Sequence, residues 1–125
     1  LELMSESLRL ELAPLGIQVT LVQPGPFRTD FIARSLEKAA QHIADYDATS
    51  GRFARLLDSM SGKQPGDPAK AAKAILAIAE SDAPPLRLVL GKYANDKSRR
   101  RGADLEKERA AWEHVGLATE FNSAP

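Results

Sequence analysis

Residues 16–31 read GIQVTLVQPGPFRTDF, and this stretch decides the fold. Residues 17–22 form a short segment rich in β-branched side chains, which favours a buried strand over a helix. Pro24 and Pro26 flank Gly25, and two prolines around a glycine are not expected to continue a ladder of backbone hydrogen bonds. We therefore predict a buried strand that ends in a turn at its carboxyl end, the edge where open α/β sheets bind ligands.

A helix is predicted before this strand. Apolar side chains recur there every three or four residues, as on one helix face: Leu1, Met4, Leu8, Leu12 and Leu15. Pro14 and Gly16 predict the end of that helix. A helix, a tight turn and a buried strand form half of a βαβ unit, which implies a parallel sheet. Because no N-cap or lead-in loop precedes Leu1, we expect the chain to start in mid-helix, as part of a larger domain.

The middle of the chain is predicted to be mostly helical. Between residues 30 and 62 one apolar stripe stands out: Phe53, Leu56, Leu57 and Met60. Residues 48–51 predict a break before this stripe, and residues 63–66 predict a loop. Asp67 and Pro68 then predict a helix start, because Asp caps helices and Pro suits the first turn. Four residues of this helix are expected to face inward: Ala72, Ile75, Leu76 and Ala79.

The last third of the chain contains a second short strand, predicted at residues 86–90 and closed by Gly91. A charged helix is expected over residues 96–115, anchored by Leu105 and Trp112. Residues 118–125 are predicted to form a loose tail. Two strands and four to five helices make this an α/β chain with no second domain boundary. Because two strands make a poor independent sheet, the element count also suggests an incomplete domain.

Composition narrows the function further. The chain has 125 residues, of which 43% are hydrophobic and 27% charged, with 17 Lys and Arg balancing 17 Asp and Glu. A net charge of zero argues against a dedicated nucleic-acid or anionic-membrane partner. The absence of cysteine excludes disulfides and thiolate chemistry, and it fits a reducing, cytoplasmic location. No apolar run approaches the roughly 18 residues of a membrane span.

The turn after the first strand is the strongest candidate site. Gly25 allows backbone to approach a ligand closely, and Thr29 offers a hydroxyl at the start of the next helix. On the residues alone, an ordinary strand-to-helix turn capped by Thr29 or Asp30 is the favoured interpretation.

The order of these segments resembles the short-chain dehydrogenase/reductase family. The resemblance is carried by residues 1–12 and 16–31, by residues 67–72 (DPAKAA) and by residues 84–91 (PPLRLVLG). It covers residues 1 to about 93 well and the tail weakly. It implies the C-terminal portion of a Rossmann-type, doubly wound parallel sheet, following that family's catalytic Tyr-x-x-x-Lys motif.

The resemblance also implies a function: hydride transfer between NAD or NADP and a carbonyl or alcohol substrate. By the same match, four residues are expected to line the nicotinamide site: Pro24, Gly25, Phe27 and Thr29. Residues 30–66 would form a substrate lid, with an apolar lining of Phe31, Phe53, Leu56 and Met60. The family's catalytic Lys would precede Leu1 by about three residues, and its Tyr, Ser and Gly-rich phosphate loop would lie further upstream. Residues 1–125 by themselves are therefore expected to be inactive.

Other features are interpreted as structural. Tyr93 and Lys97 have Tyr-x-x-x-Lys spacing, but they follow the last strand, so we assign them no catalytic role. The basic residues 97–101 lack interleaved aromatics and are read as a solvated helix face. His42 and His114 are too far apart in sequence for a metal motif, and Asp45 and Asp47 do not share a helix face, so no metal site or carboxylate pair is expected.

A second hypothesis comes from another class of function. The apolar face of the first helix could pair with another subunit, which would make the chain a non-catalytic interaction or dimerisation module. In the enzyme interpretation the same face predicts a homo-oligomer.

Overall fold

The computed structural model describes residues 1–39, 41 and 43–121. Its regular elements are α1 (Glu2–Leu12), β1 (Leu21–Pro24), α2 (Arg52–Met60), α3 (Pro68–Ala79), β2 (Arg87–Leu90) and α4 (Lys92–Leu117). Short turns of 3-10 type span Ala13–Leu15 and Ala44–Tyr46, and wide π-type turns span Phe31–Ser35 and Asp47–Gly51. The predictions for His42 and for residues 122–125 of the tail lie outside the described residues.

The two strands pair in parallel, which confirms the predicted sheet. Leu21 lies opposite Arg87, and Pro24 lies opposite Leu90. The Leu21 amide donates to the Leu86 carbonyl at 2.8 Å, and the Gly25 amide donates to the Leu90 carbonyl at 2.9 Å.

The first strand lies later in the chain than predicted. It begins at Leu21, because residues 17–20 pair with no strand within the described residues. The Ile17 amide donates back to the Leu12 carbonyl at 3.3 Å, and the Thr20 hydroxyl donates to the Pro85 carbonyl at 2.7 Å. As predicted, the strand ends within the Pro-Gly-Pro segment, and Pro24 is its last residue. The amides of Leu21 and Gly25 both face β2, so the nitrogen of Pro24, an odd number of residues away, faces the opposite side.

The predicted helix boundaries are confirmed where a cap carries them. Gly16 adopts a left-handed φ of 72° after the 3-10 turn that follows α1. The Asp67 carboxylate accepts hydrogen bonds from the amides of Ala69 at 2.9 Å and Lys70 at 3.4 Å. Pro68 then occupies the first turn of α3, so this helix begins where its sequence predicts.

Two features of α2 and α3 differ from prediction. Residues 48–51 do not break the helix, because the wide turn Asp47–Gly51 runs directly into α2. The face of α3 that is partly covered carries Ala71, Ala74 and Ile78, whereas Leu76 is exposed. Apolar residues surround this helix on nearly all sides, so their spacing did not define one face.

The last helix also differs, since it begins at Lys92. Gly91, at a φ of 87°, lets the chain pass straight from β2 into α4. The Asn95 amide group supports this turn by donating to the Gly91 carbonyl at 2.9 Å. The predicted anchors Leu105 and Trp112 are wrong, because both are exposed, Trp112 at 68%. Instead α4 is held at its first turns, where residues 94–96 are half-buried.

Burial is concentrated beside the sheet. Among the described residues the buried apolar ones are Leu90 and Pro84, which lies just before β2, and the buried polar ones are Ser5 and Gln64. Arg87 of β2 forms ion pairs with Glu2 and Glu6, so α1 is linked to the sheet by charged side chains. The hydrogen bonds that Arg87 donates to Glu6 and, to a lesser extent, to Glu2 raise the pKa of Arg87. In the described part of the chain no helix is long and apolar enough to cross a bilayer.

Candidate functional site

The candidate site is the turn that follows β1, which we call the nicotinamide turn and define as residues 24–29. It starts at the carboxyl end of the sheet, beside the end of β2. On one side it touches the first turns of α4, and on the other it pairs with residues 64–66. The position agrees with the sequence prediction of a ligand-binding edge.

Gly25 lies against α4 rather than against open space. A methyl group placed on it would lie 3.3 Å from the Leu90 carbonyl oxygen and 3.4 Å from the Ala94 nitrogen. Its missing side chain is therefore used by the protein itself, to let α4 approach the end of β1. From the sequence, Gly25 was interpreted as allowing a ligand to approach the backbone closely. The structure shows that the close approach of α4 also requires glycine at this position.

Phe27 directs its ring toward residues 64–66. A methyl group on Gly66 would lie 2.6 Å from Cδ1 of Phe27, so the ring occupies the space that a side chain at position 66 would need. The two residues also form a parallel backbone bridge. Phe27 therefore contributes its backbone, rather than its ring, to the open side of the turn.

Two donors in the turn have no internal acceptor. The Phe27 amide and the Thr29 hydroxyl proton both lack a hydrogen-bond acceptor among the described residues. Thr29 Oγ1 does accept a long bond of 3.4 Å from the Phe31 amide, as in a capped turn. Its geometry thus fits the capping interpretation and still leaves a donor. Two donors two residues apart can use the two lone pairs of a carboxamide oxygen.

Sequence reasoning missed one residue of this region, Gln64. It is 2% exposed, and its Oε1 has no hydrogen-bond partner among the described residues. Its backbone carbonyl accepts from Arg28 Nε at 3.2 Å. An open cavity of about 320 Å³ adjoins them, lined by Arg28, Gln64, Pro65, Gly66, Asp67 and Pro68. No sequence signal singled out Gln64, because glutamine is usually exposed.

The predicted lid residues lie in two separate places. Phe31 begins the wide turn after the nicotinamide turn and is exposed, whereas the other three lie on α2. Phe53 is 59% exposed and Leu56 is also exposed, while Met60 is half-buried. An ion pair between Lys38 and Asp58 links the two parts. The apolar face of α2 is thus open.

Asp47 has a structural role in this region. Arg55 Nη1 donates to Asp47 Oδ1 at 2.8 Å and Nη2 donates to Oδ2 at 3.2 Å, so the pair closes the wide turn before α2. The hydrogen bond to Asp47 raises the pKa of Arg55.

Tyr93 and Lys97, to which the sequence analysis assigned no catalytic role, lie on α4. Tyr93 is 59% exposed in the first turn of that helix. Lys92 donates to Asp96 at 2.6 Å, which lowers the pKa of Asp96. No group of three or more potential metal ligands occurs within the described ranges.

The chain is similar in sequence to known oxidoreductases. An oxidoreductase of Botryotinia fuckeliana (strain B05.10) is 32% identical over 115 residues, which cover 92% of this chain and 42% of the relative. An uncharacterized oxidoreductase of Schizosaccharomyces pombe is 32% identical over 117 residues, covering 93% of this chain and 39% of the relative. No family model matches the chain.

A solved structure of an oxidoreductase is also similar to this chain. The short-chain dehydrogenase of Streptomyces avermitilis superposes with a TM-score of 0.76 at 37% identity, covering 95% of this chain and 42% of that one. The chain belongs to the short-chain dehydrogenase/reductase family, and its fold is the C-terminal portion of that family's Rossmann-type sheet. It spans about two fifths of the length of these relatives.

Proposed function

We propose that the chain is part of an NAD- or NADP-dependent oxidoreductase that transfers a hydride between nicotinamide and a carbonyl or alcohol substrate. The observation that carries this proposal is the pair of unused donors, the Phe27 amide and the Thr29 hydroxyl, at the carboxyl end of β1. The oxidoreductase relatives support it at the level of the family.

The donor set suits the nicotinamide end of such a cofactor. The Phe27 amide and the Thr29 hydroxyl can each donate to the carboxamide oxygen, which has two lone pairs, and Thr29 Oγ1 can accept from the carboxamide NH2 group. Pro24 is exposed beside them and offers a rigid apolar surface for the ring. When bound, the cofactor supplies the hydride chemistry, and these residues bind and orient its reactive ring.

We assign the remaining chemistry to residues outside 1–125. Residues 1–125 contain no Gly-rich phosphate loop, and their single Tyr-x-x-x-Lys spacing follows β2. A Tyr acid/base, a Lys that lowers its pKa and a Ser that polarises the substrate oxygen would have to come from other parts of the protein. Residues 1–125 alone would accordingly be inactive. The absence of cysteine supports a reducing, cytoplasmic setting.

The exposed apolar side chains of residues 30–66 favour an apolar substrate. Phe31, Phe53 and Leu56 present exposed apolar surface, and Met60 extends the α2 stripe. We propose that these side chains cover a small carbonyl or alcohol molecule during turnover.

Substitution Thr29→Val tests the site assignment. In the protein expressed from its complete gene, T29V should raise the Kd for NADH or NADPH by roughly 3- to 10-fold. This is the affinity expected to be lost with one hydrogen bond. Fluorescence titration measures the Kd, and carbonyl-dependent oxidation of the cofactor measures turnover. Thr119→Val is the matched control, because the Thr119 hydroxyl donates to Gly116 at the far end of α4. Unchanged cofactor binding in T29V, or no binding by the unmodified polypeptide, would contradict the proposal.

A second candidate is a dimerisation role, supported by the exposed apolar face of α1. Leu3 is 77% exposed, and Met4 and Leu10 are similarly open. Surfaces of this kind mark protein interfaces. We propose that a second copy of the chain covers this face. The protein would then be either a homo-oligomeric enzyme or a non-catalytic dimerisation module. Sedimentation velocity of the natural polypeptide distinguishes a dimer from the monomer that would overturn this candidate.

A further inference from the structure

The nicotinamide turn is held from one side by a three-residue segment, Gln64–Gly66, which we call the brace. The Arg28 amide donates to the Gly66 carbonyl at 2.9 Å, and the Gly66 amide donates to the Pro26 carbonyl at 3.1 Å. These two bonds flank Phe27 on both sides. They fix the backbone of the turn at the residue whose own amide has no acceptor in the described chain.

Side chains reinforce the backbone pairing. The Phe27 ring fills the space above Gly66, where a methyl group would lie 2.6 Å from Cδ1 and 2.7 Å from Cγ. Arg28 Nε donates to the Gln64 carbonyl at 3.2 Å, and Gln64 itself is 2% exposed. A buried side chain at one end of the brace and a ring packed on the other leave the segment little freedom to move.

The brace also determines where the lid begins and ends. The chain leaves the nicotinamide turn at Asp30, forms the wide turns and α2, and returns at Gln64 beside Arg28. Immediately after Gly66, Asp67 caps α3. The brace therefore joins the two ends of the lid to each other and to a helix.

We propose that the brace positions the Phe27 amide and the Thr29 hydroxyl for the nicotinamide carboxamide, so that Gln64 and Gly66 are positioning residues. This inference rests on the proposed function. Neither residue needs to touch the cofactor, because each acts through the backbone of residues 26–28. A displacement of about 1 Å in such a donor pair weakens only the contacts made at the nicotinamide end.

Gly66→Ala tests the inference, because the new methyl group must push the Phe27 ring aside. In the polypeptide from the natural reading frame we expect the Kd for NADH or NADPH to rise by roughly 5- to 10-fold. The Kd for ADP-ribose or its 2′-phosphate, which lack nicotinamide, should stay within about 2-fold. The same methyl group would lie 2.8 Å from the Pro26 carbonyl oxygen, so the backbone of the turn has to shift as well.

Gly102→Ala is the matched control, since no atom lies within 4 Å of a methyl group at that position in α4. It should leave both dissociation constants unchanged. An equal loss of nicotinamide and ADP-ribose binding in G66A would assign the brace a purely structural role, and no loss at all would overturn the inference while leaving the proposed function intact. If the unmodified polypeptide binds neither NADH nor NADPH, the proposed function fails, and the inference fails with it.

Discussion

The nicotinamide turn and the lid follow each other in the chain, yet they are held by different forces. The turn is fixed by backbone hydrogen bonds on two sides, to Leu90 and to Gly66. The lid is tied by exposed ion pairs, Lys38 with Asp58 and Arg55 with Asp47. Backbone pairing in a partly covered turn resists movement, whereas exposed ion pairs contribute little and are screened by salt.

This difference suits two separate tasks. A donor pair that orients a cofactor ring has to be rigid to within a fraction of an ångström. A segment that covers a substrate has to open and close, and elements that move in this way come from the less stable parts of a fold. The brace lies at the boundary between the two regions.

The largest effect is expected from Asp67→Ala, which removes the cap of α3 directly after the brace. Two amide hydrogen bonds are lost, so the free energy of unfolding should fall by about 1 kcal/mol. Urea unfolding measures this value, and hydrogen exchange should show faster exchange of the Gly66 amide with little change in the lid. Asp67→Asn keeps a capping oxygen and should retain most of the stability. Equal stability of D67A and the unmodified chain would mean that the brace is not supported by α3.

A smaller effect is expected on acidification, at the other support of the turn. The hydrogen bond from Lys92 lowers the pKa of Asp96 below its ordinary 3.8, and Arg99 adds to this at a longer distance. Because the folded-state pKa is lower than the unfolded one, the stabilisation is complete above the ordinary pKa. It is lost as the pH falls through the lowered value.

The unmodified chain should therefore lose stability more steeply than Asp96→Asn as the pH falls below about 3.8. Thermal unfolding across this range, monitored by circular dichroism, measures the difference. Parallel pH curves for the two proteins would show that Asp96 does not help to hold α4 beside Gly25.

The smallest effect is expected in the lid. Arg55→Ala breaks the exposed pair with Asp47 but leaves the backbone of α2 intact, so the unfolding midpoint should not change measurably. The same urea titration used for D67A provides the comparison. A loss of stability as large as that of D67A would show that the lid is held as firmly as the turn, and the contrast between the two regions would disappear.

Local chemistry made much of the fold predictable from sequence. The Asp67 cap, the left-handed Gly16 and the second strand each depend on a few adjacent residues, and each was confirmed. The start of β1 was not, because a strand is defined by its partner, and the partner of Leu21 is Arg87. The prediction of which α3 residues face inward was wrong for another reason. A helix that is apolar on most sides has no single apolar stripe from which the inward face can be predicted.

The site was predictable only in part, for the same physical reason. The Pro-Gly turn is a local motif, and the family resemblance selected Pro24, Gly25, Phe27 and Thr29 within it; their role as a cofactor site stays a prediction. The brace depends on pairing between Phe27 and Gly66, which are distant in the chain, and on the burial of Gln64. No local pattern reports a tertiary contact of that kind, and the residues 63–66 could be recognised only as a loop.

The central claim is that nicotinamide binds against the turn at residues 24–29, and the most direct measurement is an intermolecular nuclear Overhauser experiment. The natural polypeptide would be titrated with NADH or NADPH, with Pro24 and Thr29 assigned. The account predicts cross-peaks from the nicotinamide ring protons to the Pro24 ring and to the Thr29 methyl group, and none to Trp112. Cofactor that binds with cross-peaks elsewhere, and none to the turn, would contradict the account.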